Sequence, residues 1–301
     1  MSIMIGQISY LPHNELRTKR LDVARFQIEW FNKTLPNTPI TSVAQAYDSS
    51  EYCDGVDYVK FDCGIGAGAA RNIILEKFYN SDYDWLLLCD DDTIIDDKYF
   101  PENFIKEICC DCELHNKFKD VHAISAVEPE YHPYKTLNFQ DKANLTHYKF
   151  EPRELNSGSA TSFIQNIKKH YGKEVYYPNV DASKGEGRED MEFLFSWLKN
   201  GLNWYTMQTL IRKSLCFDKS SIFGSDTKAR DKILMHDLDV ICERYSQDGL
   251  MRGVNGKITW KNFNDKYNTS KKVLYIPRLN PITYEENTTP KVKQDLSQNL
   301  F

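Results

Sequence analysis

The sequence predicts an α/β protein: a mainly parallel mixed sheet with helices on both faces, plus a C-terminal appendage. Three observations carry this. Strand-like and helix-like segments alternate along the first two-thirds of the chain. The Leu-rich run Trp85-Leu86-Leu87-Leu88-Cys89 reads as a strand buried on both faces. That run ends in three aspartates, Asp90-Asp91-Asp92, at the carboxyl end of a strand, where open α/β sheets keep their ligand crevice.

Each element has its own signal. Residues 3–8 are apolar enough for a first strand. Residues 17–32 place Leu21, Ala24, Phe26, Ile28, Trp30 and Phe31 at helical spacing, and Pro36 ends the pattern. Residues 40–47 and 56–61 are two further strands. A Gly/Ala-rich turn at 64–70 opens a helix running to residue 79. Beyond the aspartate strand, 104–115 reads as a helix and 121–127 as a strand. Residues 128–162, rich in Tyr, His, Pro and Asn, read as loop and antiparallel edge, with an extended patch at 146–150. A polar loop at 181–187 precedes a helix over 190–200, and 204–211 closes the core as a strand. After residue 215 the composition shifts: a polar stretch, a short helix at 232–243, then a basic–aromatic segment and a polar tail from Pro290. The expected division is a catalytic domain over 1–215 and an acceptor-binding or lid segment over 216–301.

The chain has 301 residues and a formal net charge of −5, so no global basic field draws it to nucleic acid. No apolar run approaches the ~20 residues that span a bilayer. The first ten residues read as a strand and not as a signal peptide. Eight irregularly spaced cysteines suggest reduced thiols and a cytoplasmic location. The Cys109, Cys110, Cys112, His115 cluster falls in a helical pattern without a second pair at zinc-finger spacing, and reads as buried thiols.

Two constellations point to chemistry. Crowded carboxylates repel unless a cation or hydrogen bonds hold them. Magnesium-type ions take one or two carboxylates plus a substrate's phosphates, so Asp90 to Asp92 suit a metal–diphosphate site, beyond the single aspartate a helix cap needs. Glu189 and Asp190 open a helix after a polar loop. Either could serve as a cap, or as a general base on an acceptor hydroxyl. Arg71, in Gly66-Ala67-Gly68-Ala69-Ala70-Arg71-Asn72, is placed to contact a nucleotide or diphosphate, or is merely solvated. As a dinucleotide fingerprint the glycine pattern is weak, because the first strand lacks it.

In order and separation, the Gly-x-x-x-Ala-Arg-Asn helix, the strand ending in Asp-x-Asp and the Glu-Asp loop–helix junction resemble the GT-A (Rossmann-like) fold of nucleotide-sugar glycosyltransferases, most closely its large inverting group. The resemblance covers roughly the first 215 residues. It implies that Asp90, with Asp91, contacts the donor and that Asp92, with Asp90, binds a divalent ion (Mn2+ or Mg2+). It also implies that Asp190, with Glu189 beside it, is the base, and that the donor is a nucleotide sugar, a UDP-sugar by preference. His236 is the candidate to complete the metal site, while Arg71, Lys228 and Arg230 would add positive charge at the diphosphate. The acid expected to hold the nucleotide base stays open among Asp48, Glu51 and Asp54.

Between 252 and 278 the segment holds Arg252, Lys257, Lys261, Lys266, Lys271, Lys272 and Arg278 against one acid, Asp265, with Trp260, Phe263, Tyr267 and Tyr275 interleaved. Basic side chains track phosphates and aromatics stack on bases, so DNA is the expected acceptor partner. The same pattern also fits a solvated basic face. In style the chain resembles the transferases of T-even-type phages that glycosylate or arabinosylate hydroxymethylcytosine in DNA. That gives 5-hydroxymethylcytosine as the favoured acceptor, ahead of a glycan. No membrane and no protein partner is implied. The rival readings are nucleotidyl transfer and a non-catalytic nucleic-acid-binding protein.

Overall fold

The structure, a computed structural model, describes residues 2–95, 120–127, 147–152, 161–178, 189–214, 227–253, 258–259, 261–267 and 274–277. In chain order the elements are β1 (Ile3–Tyr10), α1 (Arg17–Thr34), β2 (Ile40–Gln45), β3 (Val56–Phe61), α2 (Ala67–Tyr79), β4 (Trp85–Asp90), β5 (Thr93–Ile95), β6 (Ala123–Val127), β7 (His147–Pro152) and β8 (Ser162–Gln165). They continue with α3 (Ile167–Tyr171), α4 (Glu189–Lys199), β9 (Trp204–Ser214), α5 (Thr227–Arg244), β10 (Met251–Arg252), β11 (Ile258–Thr259), α6 (Lys261–Tyr267) and β12 (Leu274–Pro277). The helix expected at 104–115, with its cysteine cluster, lies outside the described residues.

The main sheet runs β12-β7-β9-β6-β8-β4-β1-β2-β3, with β5 paired to β9. Strands β1, β2, β3, β4, β6, β9 and β12 share one direction, while β5, β7 and β8 oppose it. The fold is therefore the mainly parallel mixed α/β sheet with helices on both faces that the sequence predicts. Its parallel block is β3-β2-β1-β4, and β8 enters antiparallel between β4 and β6. A separate two-stranded ribbon joins β10 to β11.

Helices cover both faces because β4 alternates. Leu86 and Leu88 join one core with α2 (Ile74, Leu75, Phe78), α4 (Phe193, Leu194, Trp197) and α5 (Leu238, Ile241). Trp85, Leu87 and Cys89 join the other core, with α1 (Ile28, Phe31) on top. Helix α2 lies close on β1: a Cβ at Gly6 would sit 2.3 Å from Ile74 Cγ2. The segment beyond 215 shares the first core through Leu238, Ile241, Leu250 and Phe263, and β12 extends the sheet at its far edge. Helix α5 begins five residues ahead of the expected 232. No helix among the described residues is long and apolar enough to cross a membrane.

Candidate active site

Strand alternation splits the three aspartates. Asp90 continues the side of β4 that carries Leu86 and Leu88, toward α2, whereas Asp91 falls on the α1 side. There Asp91 is buried, paired to Arg20 Nη2 at 2.7 Å and hydrogen-bonded by Ser9 Oγ, which also meets the Tyr47 hydroxyl. Asp91, expected to contact the donor, thus lies on the opposite side of the strand from Asp90, beside the β4–β5 turn. Gln27 of α1 holds that turn, donating from Nε2 to the carbonyl of Asp90 at 2.6 Å and to that of Thr93. Gln27 in turn accepts from Gln7 Nε2 at 2.6 Å, and Gln7 accepts from Ser42 Oγ at 2.7 Å. This buried amide chain fixes the turn that presents Asp90 and the half-buried Asp92.

On the other face, three carboxylates converge on one guanidinium. Arg71 Nη2 donates to Asp90 Oδ1 at 2.7 Å, and Nη1 donates to Glu189 Oε1 at 2.6 Å. Asp190 Oδ1 lies 3.0 Å from the same Nη1 as an ion pair without hydrogen-bond geometry. The Arg71 side chain is 3 % exposed, against 29 % for Asp90, 11 % for Glu189 and 19 % for Asp190. Asp90 ends β4 while Glu189 and Asp190 open α4, so the site joins elements about a hundred residues apart at the carboxyl end of the parallel strands. Burial, then the neighbouring Asp190 charge, pushes the Glu189 carboxyl up to about 7 despite Arg71. The third acid of the α4 start, Glu192, is buried and paired with Arg244 of α5.

Beside the guanidinium lies Tyr177, whose ring centroid is 5.3 Å from Arg71 Cζ and which stacks on Phe193 at 4.0 Å. Asn72 clamps the Tyr177 backbone, donating to its carbonyl at 2.8 Å and accepting from its N–H at 2.7 Å. Burial pushes the Tyr177 hydroxyl well up.

The remaining expected residues are dispersed. His236 is exposed on α5. Among the described residues no three His, Cys, Asp or Glu side chains converge to hold a metal, so Asp90, Asp92 and His236 form no ready-made trio. The side chains of Lys228 and Arg230, in the first turn of α5, and of Lys261, in α6, lie outside the described ones, as do Lys257, Lys271 and Lys272 altogether. Arg252 is paired with Asp239 at 2.9 Å, and Lys266 Nζ lies 3.2 Å from Asp248. Asp48 and Glu51 are both held by Arg17, at 3.1 and 2.5 Å. Near them, Tyr47 and Tyr52 of the β2–β3 connection and Tyr58 of β3 form an aromatic group with Tyr52 and Tyr58 centroids 4.5 Å apart. Sequence reading missed this group, as it missed Arg20, Gln27, Arg244 and Tyr177. The only advance signal was the high tyrosine content.

No family model matches the chain, and no curated protein matches it. Solved structures do resemble it. Glucosyl-3-phosphoglycerate synthase of Mycobacterium tuberculosis, solved with Mn2+, UDP-glucose and phosphoglyceric acid, is similar at 11 % identity and a TM-score of 0.43, over 79 % of each chain. Drosophila β1,4-galactosyltransferase 7, with manganese and UDP-galactose, is similar at 12 % identity and TM-score 0.39, over 76 % of this chain and 79 % of that one. A CMP-2-keto-3-deoxy-manno-octonic acid synthetase bound to CTP is similar at 10 % identity and TM-score 0.37, over 78 % of this chain and all of that one. At these identities and scores the likenesses carry no functional argument.

Proposed function

We propose that the protein is a metal-dependent glycosyltransferase that moves a sugar from a nucleotide sugar to a hydroxyl acceptor with inversion. The observation that carries this is the gathering of Asp90, Glu189 and Asp190 at the carboxyl end of the parallel strands, with one carboxylate poised near neutral pH. A base works best when its pKa lies near the operating pH. The Glu189–Asp190 pair takes the proton from the acceptor hydroxyl. The acceptor oxygen attacks the anomeric carbon, and the nucleoside diphosphate departs toward the Asp90–Asp92 turn.

Asp92, with Asp90 two residues before it, supplies the one or two carboxylates that a Mn2+ or Mg2+ ion needs when phosphates complete its shell. Such an ion, when bound, neutralises charge on the leaving diphosphate. The tyrosine group of β3 and the β2–β3 connection gives the donor's base, uridine by preference, a surface for stacking.

For the acceptor we favour 5-hydroxymethylcytosine in DNA, in a cytoplasmic setting, on the strength of the basic–aromatic segment 252–278. A glycan is the second reading, favoured by the pairing of Arg252 and Lys266 with the protein's own aspartates. The reaction class is tested by incubating the protein with Mn2+ and a panel of UDP-sugars and nucleoside triphosphates. Release of UDP, abolished by EDTA and by Asp92→Asn, is expected. Pyrophosphate release from a triphosphate with no UDP-sugar turnover would make the protein a nucleotidyltransferase instead.

A further inference from the structure

The sequence pattern places Arg71 against a nucleotide or diphosphate, or in solvent, but its surroundings are neither. A guanidinium offers five N–H donors in a rigid plane, matched to carboxylates and phosphates alike. Here both terminal nitrogens are already engaged, one by Asp90 and the other by Glu189 and Asp190. Nε faces no hydrogen-bond partner among the described residues, and the side chain is 3 % exposed. The Tyr177 ring lies beside the group, itself clamped by Asn72 and stacked on Phe193. A phosphate reaching this guanidinium would have to displace a carboxylate that lies at 2.6–2.7 Å.

Charge makes the arrangement obligatory. Without the cation, three crowded carboxylates would repel, and those of α4 would lose the only described cation that fixes their direction. Consecutive side chains of one helical turn thus do paired work. Arg71 grips the end of β4 and the start of α4, while Asn72 grips the backbone at Tyr177, which lies between them in sequence.

We propose that Arg71 is a positioning residue: it ties the donor-side carboxylate Asp90 to the acceptor-side pair Glu189–Asp190 and does not bind the diphosphate. The proposal rests on the transferase reading for its kinetic consequence, but not for its structural one. Lysine can meet one carboxylate as a point charge but cannot fork across two elements.

The experiment compares wild type with Arg71→Lys and Arg71→Met. Turnover and UDP affinity are measured separately, the latter by calorimetry with UDP and Mn2+. Turnover is expected to fall at least ~100-fold in Arg71→Lys, the scale of a misplaced catalytic group, with UDP affinity within about threefold of wild type. A tenfold or greater loss of UDP affinity in Arg71→Lys would make Arg71 a donor ligand and overturn the proposal. If wild type turns over no nucleotide sugar, the transferase reading fails, and the tie is judged by thermal unfolding alone. Arg71→Met combined with Glu189→Gln should then lose less than the sum of the two single losses, because one unpaired buried charge has been removed. Additive losses would overturn the tie regardless of activity. Should Arg71→Met not fold, the same cycle is run with Arg71→Lys.

Discussion

Glu189 carries opposite consequences for stability and for turnover. Its carboxyl is raised from an ordinary 4.5 to about 7, so the folded state holds this proton more tightly than the unfolded chain. Its contribution to stability is therefore complete below pH 4.5 and is lost as pH rises through 7. On the proposed reading, turnover needs the ionised base and moves the other way, falling as pH drops below about 7. Wild type should show both trends. Glu189→Gln should flatten the pH dependence of Tm across this window and lower turnover by roughly 10²- to 10⁴-fold, the usual worth of a general base. Asp91 makes a buried ion-paired counterpart. Its partner Arg20 is buried, so Arg20→Met leaves an uncompensated carboxylate and should cost about 3–5 kcal/mol of unfolding free energy, read by urea denaturation. An unchanged midpoint would contradict that cost.

The elements that carry the site were largely legible, and those that complete it were not. The Leu run, the glycine-led helix and the acidic start of α4 each declare themselves locally, through apolar content, small residues and dipole-compatible charge. By contrast β8 is four residues long, and its insertion between β4 and β6 is decided by long-range pairing that no local pattern encodes. Strand alternation could have separated Asp91 from Asp90 in advance, yet the turn that follows makes parity uncertain without its Gln27 anchor. Arg20 and Arg244 look like solvated helix charges until the tertiary partner is known. The appended helix α6 shows the same dependence. Burial would raise the Asp248 carboxyl, but bonds from Lys199, Tyr267 and Lys266 push it down to about 2. This cluster pins α6 to the end of α4. Gly249 permits the close approach, with φ of +90° and a would-be Cβ 2.7 Å from Asn262 Cβ. Gly249→Ala should therefore destabilise by about 1–3 kcal/mol, through both strain and overpacking, seen as a lower Tm.

At the scale of the whole molecule, a chain of net charge −5 keeps a basic stretch near its C-terminus, and its use decides the acceptor. Arg252 and Lys266 are paired with Asp239 and Asp248, which leaves Lys257, Lys261, Lys271, Lys272 and Arg278 of the segment as the candidates for DNA contact. Replacing Lys271 and Lys272 together by Ala should reduce the slope of log affinity against log salt by about 2, whereas Arg252→Ala should leave it unchanged. A salt slope insensitive to the lysines would move the acceptor to a glycan.

The most direct measurement is mass spectrometry of the nucleosides of hydroxymethylcytosine-containing DNA, after incubation with Mn2+, a nucleotide-sugar panel and either wild type or Asp190→Asn. A pentose or hexose increment on hydroxymethylcytosine is expected with wild type, and its loss with a folded Asp190→Asn variant. An increment of equal yield with both proteins would contradict the assignment of the base. Unmodified DNA together with every donor left intact would contradict the transferase itself.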